Sequence, residues 1–147
     1  MADHEAVRIL IVEDNRGDVL LVREALKESS LSFELTHVAD GEQAFDFLQR
    51  KGEYSNAIRP QLVLLDLNLP KRDGWEVLDE IRSSADFAAT PVVILSSSGN
   101  PDDRDRATRL PGSLYLRKPS TLDEFLALGK EIALFWSEKG KPDERGL

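Results

Sequence analysis

Four short apolar runs in this chain each end on a chemically loaded group. Arg8-Ile9-Leu10-Ile11-Val12 leads into Glu13-Asp14, and Leu62-Val63-Leu64-Leu65 into Asp66. Val92-Val93-Ile94-Leu95 leads into Ser96, and Leu114-Tyr115-Leu116 into Arg117-Lys118-Pro119. An open parallel sheet gathers its ligand groups outside the carboxyl ends of its strands. On that arrangement Glu13, Asp14 and Asp66 converge, with Ser96 and Lys118 on the same rim. Carboxylates that close repel by about 4 kcal/mol per pair at an effective dielectric of about 20, so the cluster requires a cation. Hard oxygen donors with no cysteine or histidine among them favour Mg2+. Lys118 offers a point charge to a phosphate oxygen, and the Ser96 hydroxyl offers a hydrogen bond to another. An aspartate in such a pocket can attack phosphorus and carry the phosphoryl group as an acyl phosphate. That chemistry needs positioning and charge neutralisation more than elaborate covalent machinery.

The elements that must position these groups follow from periodicity. Apolar runs alternate with segments of helical period, the pattern of βα units. Strands are expected at about 8–12, 33–38, 61–65, 91–95 and 113–116. Helices are expected at about 16–29, 41–50, 74–84, 101–109 and 121–137. Asn15 is a candidate N-cap for the first helix, and Asp40 with Gln43 resembles a capping box for the second. Asn100-Pro101 opens the fourth as a cap followed by proline. The body of that helix, Asp102-Asp103-Arg104-Asp105-Arg106, is wholly charged, so it should pack thinly. The fold class is therefore α/β: a doubly wound, five-stranded parallel sheet of flavodoxin-like order 2-1-3-4-5 with five helices. Residues 50–60 form a longer connection than such units usually need, and residues 138–147 form a polar tail.

Composition narrows the function classes. The chain has 147 residues, 41% hydrophobic and 31% charged, which suits one globular domain with a real core. The absence of cysteine excludes disulfides, thiolate metal sites and a thioether-linked chromophore. His4 lies at the terminus and His37 in a strand-like run, so a histidine zinc site is not expected. The formal charge is −8 with no basic stripe, which argues against nucleic acid. There is neither a membrane-length apolar run nor the basic start and apolar core of a signal peptide, so a cytoplasmic location is expected.

The motifs resemble the receiver domain of two-component response regulators over about residues 7–137. They are Ile11-Val12-Glu13-Asp14, Leu64-Leu65-Asp66-Leu67-Asn68-Leu69-Pro70 with Asp73-Gly74, Leu95-Ser96-Ser97-Ser98, and Tyr115-Leu116-Arg117-Lys118-Pro119. The resemblance implies a receiver domain at 1–137 followed by the tail. It implies that Asp66 accepts a phosphoryl group from a phosphohistidine on a sensor histidine kinase. Asp14 and Asp66 would bind Mg2+ directly, the backbone carbonyl of Asn68 would join them, and Glu13 would act through water. Ser96 and Lys118 would contact the phosphoryl oxygens. Switching would move Ser96 toward that group and turn Tyr115 inward, a two-state element biased by local charge. The Lys118-Pro119 bond is typically cis in the family. Asp14-Asn15-Arg16-Gly17-Asp18, the long connection near Tyr54 and the ending Phe135-Trp136 resemble a narrower group, single-domain regulators partnered with phytochrome-like kinases. Arg117 and Leu110-Pro111-Gly112 depart from the family pattern.

No output domain is expected after residue 137, so signalling should use the domain's own surface. Leu122, Phe125, Leu126, Ile132, Ala133 and Trp136 make one apolar stripe on the fifth predicted helix, and Leu128 and Phe135 mark a second. A helix apolar on more than one face is buried on more than one side. Homodimerisation through this helix and the following extension is one reading, and wide burial within the monomer the other. Three rival functions are weighed. A haloacid-dehalogenase-like phosphohydrolase would need a second acid where Asn68 stands, so no enzyme beyond self-phosphorylation and slow self-dephosphorylation is expected. An unphosphorylated pseudo-receiver module would not need the intact set of site residues. Flavin binding would be opposed by Glu13-Asp14, which repel a phosphate.

Overall fold

A computed structural model describes residues 6–97 and 100–140. Five parallel strands, β1 (Val7–Val12), β2 (Phe33–Val38), β3 (Leu62–Asp66), β4 (Val92–Ser96) and β5 (Ser113–Arg117), pair in the order β2-β1-β3-β4-β5. They alternate with helices α1 (Arg16–Glu28), α2 (Gly41–Gln49), α3 (Gly74–Ser83), α4 (Pro101–Thr108) and α5 (Leu122–Phe135). The register pairs Val12 with Val38 and Leu65, Asp66 with Leu95, and Ser96 with Arg117. The carboxyl ends of β1, β3, β4 and β5 therefore finish at one rim, as the sequence predicts.

Strand alternation divides the core. Leu10, Val12, Val63, Leu65 and Ile94 pack with Phe47 and Leu48 of α2, Val77, Leu78 and Ile81 of α3, and Ala107 of α4. Ile9, Ile11, Leu62, Leu64, Val93 and Leu95 face the other way, onto Val19, Val22 and Leu26 of α1 and Phe125, Leu128 and Ile132 of α5. Leu128 and Phe135, the second apolar stripe of α5, are thus buried inside the monomer. This second face packs against α1 and the sheet and is not left open. Leu122 and Leu134 of the same helix are exposed. After Phe135 the chain makes a π turn at Trp136–Gly140. Residues 141–147, most of the predicted tail, lie outside the described residues.

Local signals explain the helix starts. Asn15 caps α1 by accepting from the Asp18 N–H at 3.1 Å. Asp40 accepts from the Gln43 N–H at 2.8 Å, but the Gln43 side chain returns to Ala39 N–H, one residue short of a reciprocal box. The full capping box falls on α3, where Asp73 and Glu76 bond each other's backbone N–H. In the long connection, a 3₁₀ turn at Gly52–Tyr54 sets Tyr54 edge-on to Phe47 at 5.4 Å between ring centroids.

Candidate functional site

Asp66 ends β3 and is buried. Its two oxygens have different partners: Oδ1 accepts from the Asn68 N–H at 3.0 Å, and Oδ2 from Lys118 Nζ at 3.2 Å. The loop after it turns sharply because Gly74 N–H donates to Leu67 C=O at 2.9 Å. A Cβ on Gly74 would sit 2.5 Å from the Asp66 carbonyl oxygen, so only glycine permits this approach.

Glu13 follows β1 and is also buried. Its backbone is held at both ends: the N–H donates to Val38 C=O at 3.1 Å, and the C=O accepts from His37 Nε2 at 2.6 Å. Its carboxylate accepts from Asn15 N–H at 3.2 Å and from Lys118 Nζ at 2.7 Å. Asp14 is exposed, and oxygens of Glu13, Asp14 and Asp66 all lie within 4.8 Å of one another. Three convergent carboxylates, two of them buried, are a hard-oxygen set that fits a divalent cation.

Lys118 enters from the end of β5. Its backbone N–H donates to Ser96 C=O at 2.8 Å, and its ammonium meets Glu13, Asp66 and Asp18, the last at 3.0 Å. An ammonium has three protons, and each faces a carboxylate here. No peptide bond among the described residues is cis, so the expectation for Lys118-Pro119 fails. Anchored to Ser96 at its backbone and drawn inward by three acids, Lys118 reaches the pocket across a trans bond.

Electrostatics follow from this packing. Burial is the largest influence on Glu13 and pushes its pKa from 4.5 up to about 7; the Asp66 charge adds to the rise and the Lys118 hydrogen bond opposes it. For Lys118, burial pulls downward but is outweighed. The hydrogen bonds Lys118 donates to Glu13 and Asp18 and the charges of Glu13 and Asp66 hold it above the usual lysine range.

Of the other predicted residues, Ser96 and Asn68 lie at the same rim, and Tyr115 lies two residues before the end of β5. Ser96 is buried at the end of β4. Tyr115 is half-buried on β5, and the Arg104 guanidinium lies 5.3 Å from its ring centroid. Asn68 is exposed and touches Asp66 through its N–H. Ser98, part of the serine motif, lies outside the described residues. Sequence reasoning gave no separate role to Asp18 or His37. Asp18 lies in the first turn of α1, three residues after the Asn15 cap. The His37 contact could be found only from strand register.

A doubly wound sheet with acids after its first and third strands and a lysine after its fifth defines the class of phosphoryl-accepting receiver folds. Residues 9–129 match the family model of the response regulator receiver domain, and the chain belongs to that family. It is 46% identical over 130 residues to response regulator Rcp1 of Synechocystis sp., covering 88% of each chain. Among solved structures it resembles the phosphorylated cyanobacterial phytochrome response regulator RcpA, with a TM-score of 0.84 and 42% identity over 93% of this chain and 98% of that one. The Mn2+-bound form of Rcp1 matches with a TM-score of 0.83 and 44% identity over 93% of this chain and 99% of that one.

Proposed function

We propose that this response regulator takes a phosphoryl group onto Asp66 from the phosphohistidine of a sensor histidine kinase. The Asp66 oxygen forms the new bond to phosphorus as the phosphorus–nitrogen bond breaks, and the departing imidazole takes a proton from solvent. Mg2+ is the proposed ion, held by Asp14, Asp66 and the Asn68 carbonyl, with Glu13 acting through water. It supplies charge neutralisation for the transferring oxygens. Lys118 and Ser96 bind the phosphoryl oxygens, and Ser96 and Tyr115 then shift together and change the outer surface. The observation that carries this reading is the Lys118 ammonium lying between Asp66 at 3.2 Å and Glu13 at 2.7 Å, beside a three-carboxylate cluster.

Likeness to RcpA, a phytochrome response regulator, supports a phytochrome-like kinase as partner. The remaining proposals are a receiver domain at 1–137 with a polar tail, a cytoplasmic location, no nucleic-acid or membrane partner, and slow self-dephosphorylation as the only turnover. No helix among the described residues is long and apolar enough to cross a membrane. Exposed Leu122 and Leu134 on α5 support a homodimer through that helix and its extension.

Incubation with acetyl phosphate and Mg2+ should add one phosphoryl mass in intact-protein mass spectrometry. Asp66→Asn should abolish the gain. A wild-type protein that stays unmodified refutes the assignment. For the dimer, sedimentation showing a monomer at high micromolar concentration, with and without beryllofluoride, defeats the proposal.

A further inference from the structure

Asp18 belongs to none of the roles above, yet it holds one of the three protons of Lys118. Its Oδ2 lies 3.0 Å from Nζ, and its side chain is 23% exposed against 12% for Lys118. The other two partners of that ammonium, Glu13 and Asp66, are also members of the three-carboxylate cluster, and Asp18 is not. When a divalent ion draws on Glu13 and Asp66, Asp18 is the acid left to Lys118. When Asp66 carries a phosphoryl group, two ammonium protons are free for its oxygens while the third stays on Asp18.

The backbone of Asp18 is well fixed for this purpose. Its N–H donates to the Asn15 cap at 3.1 Å. One turn on, α1 is buried through Val19, Val22, Ala25 and Leu26. Asp18 and Lys118, with Ser97, Arg117 and Pro119, line an open cavity of about 680 Å3. Lys118 thus borders this cavity beside Asp18 while its ammonium contacts Asp66 at 3.2 Å, and Asp66 itself does not line the cavity. A lysine side chain has four rotatable bonds and loses up to about 2 kcal/mol of rotamer freedom when ordered. A fixed carboxylate 3.0 Å from Nζ meets that cost before the donor arrives.

We infer that Asp18 is a positioning residue for phosphoryl transfer, tethering Lys118 at the acceptor while the metal and the phosphoryl group take its other carboxylate partners. This rests on Asp66 being the acceptor. The alternative, that Asp18 acts only as a first-turn acid stabilising α1, has no dependence on Lys118.

A double-mutant cycle separates the two. Wild type, Asp18→Ala, Lys118→Met and the double variant are treated with acetyl phosphate and Mg2+, and phosphoryl gain is followed by mass spectrometry. In this reaction Asp66 bonds to phosphorus as acetate leaves. With Lys118 present, Asp18→Ala should slow the gain about threefold to tenfold, the range of a partly exposed charge-assisted hydrogen bond. Asp18→Glu should recover most of the rate. In the Lys118→Met background, Asp18→Ala should leave the rate unchanged or raise it, because a repelling anion has gone. Without metal, the urea midpoints of the same four proteins should be non-additive. Equal slowing in both backgrounds, or additive midpoints, overturns the tether while leaving Asp66 as acceptor. A wild type that gains no phosphoryl mass overturns both readings.

Discussion

Helices α5 and α4, on opposite faces of the sheet, are held by different physics. On the α1/α5 face, Phe125, Leu128, Ile132, Phe135 and Trp136 bury against the sheet and α1. Gly129 lies so close to Ala25 that an added Cβ would collide with the Ala25 carbonyl. At the other side of the molecule, α4 buries only Ala107. It is seated instead by arginines on aromatic rings. Arg106 lies 4.0 Å from the Trp75 ring centroid on α3, and Arg104 lies 5.3 Å from that of Tyr115 on β5. Close apolar packing is stiff and has one good arrangement. Cation–π seats at the surface are worth about 0.5–1 kcal/mol each and can be exchanged. Glu13 and Asp66 hang from strands buried on both faces, so the acidic cluster has a rigid mount. The surface beside Tyr115, proposed above to respond to phosphorylation, has a loose one.

The largest expected effect breaks the stiff face. Ile132→Ala removes a fully buried side chain and should cost about 2–5 kcal/mol. Ala107→Gly on α4 should cost about 1 kcal/mol, the helix-propensity difference. Urea unfolding followed by circular dichroism measures both. Equal losses would mean that α4 carries as much of the stability as α5, and the contrast would be void.

That contrast was partly legible in the chain. The charged body of α4 announces a thin helix, and four apolar runs announce the strands and their loaded ends. Periodicity alone could not say which molecule covers the second stripe of α5. Leu128 and Phe135 look equally suited to a partner or to the monomer, and only the nearness of α1 decides for the monomer. Asp18 was hidden because its partner, Lys118, is a hundred residues away and reaches it only after five strands have assembled. Arg82 was hidden for a similar reason. It looks like an ordinary last-turn cation, yet its guanidinium bonds Thr90 C=O at 2.8 Å, Pro111 C=O at 3.2 Å and Ser113 Oγ at 3.2 Å. It thereby ties α3 to the amino ends of β4 and β5. The Lys118-Pro119 bond was misjudged because proline permits cis without requiring it.

A second, smaller effect sharpens the picture of the rigid mount. In the metal-free protein Glu13 has its pKa raised from 4.5 to about 7, first by burial. A raised carboxylate favours the folded state below about pH 4.5, and that contribution is lost as pH rises through about 7. Metal binding has the opposite sign, because the ion must displace the proton. Apparent Mg2+ affinity should therefore fall about tenfold per pH unit below about 7, and the thermal stabilisation by Mg2+ expected at pH 8 should be gone at pH 5. Calorimetric titration across this range is the measurement. An affinity that does not change from pH 8 to pH 5.5 would show that Glu13 is already ionised without the ion, held so by Lys118.

The smallest effect probes the loose seat itself. If Tyr115 turns inward on phosphorylation, the Arg104 guanidinium loses the ring it now covers. Arg104→Gln should then remove a contact peculiar to the resting state and tighten beryllofluoride binding about twofold to fivefold, the equivalent of one surface cation–π contact. The same reasoning gives the two tryptophans different behaviour. Trp75 is half-buried under Arg106, whereas Trp136 is buried in the α1/α5 core. A fluorescence change on adding beryllofluoride with Mg2+ should survive Trp136→Phe and vanish in Trp75→Phe. A change that follows Trp136 instead would move the responsive surface to the face with the tightest packing. Resistance to rearrangement would then have to be sought in the seats of α4, the reverse of what its single buried side chain implies.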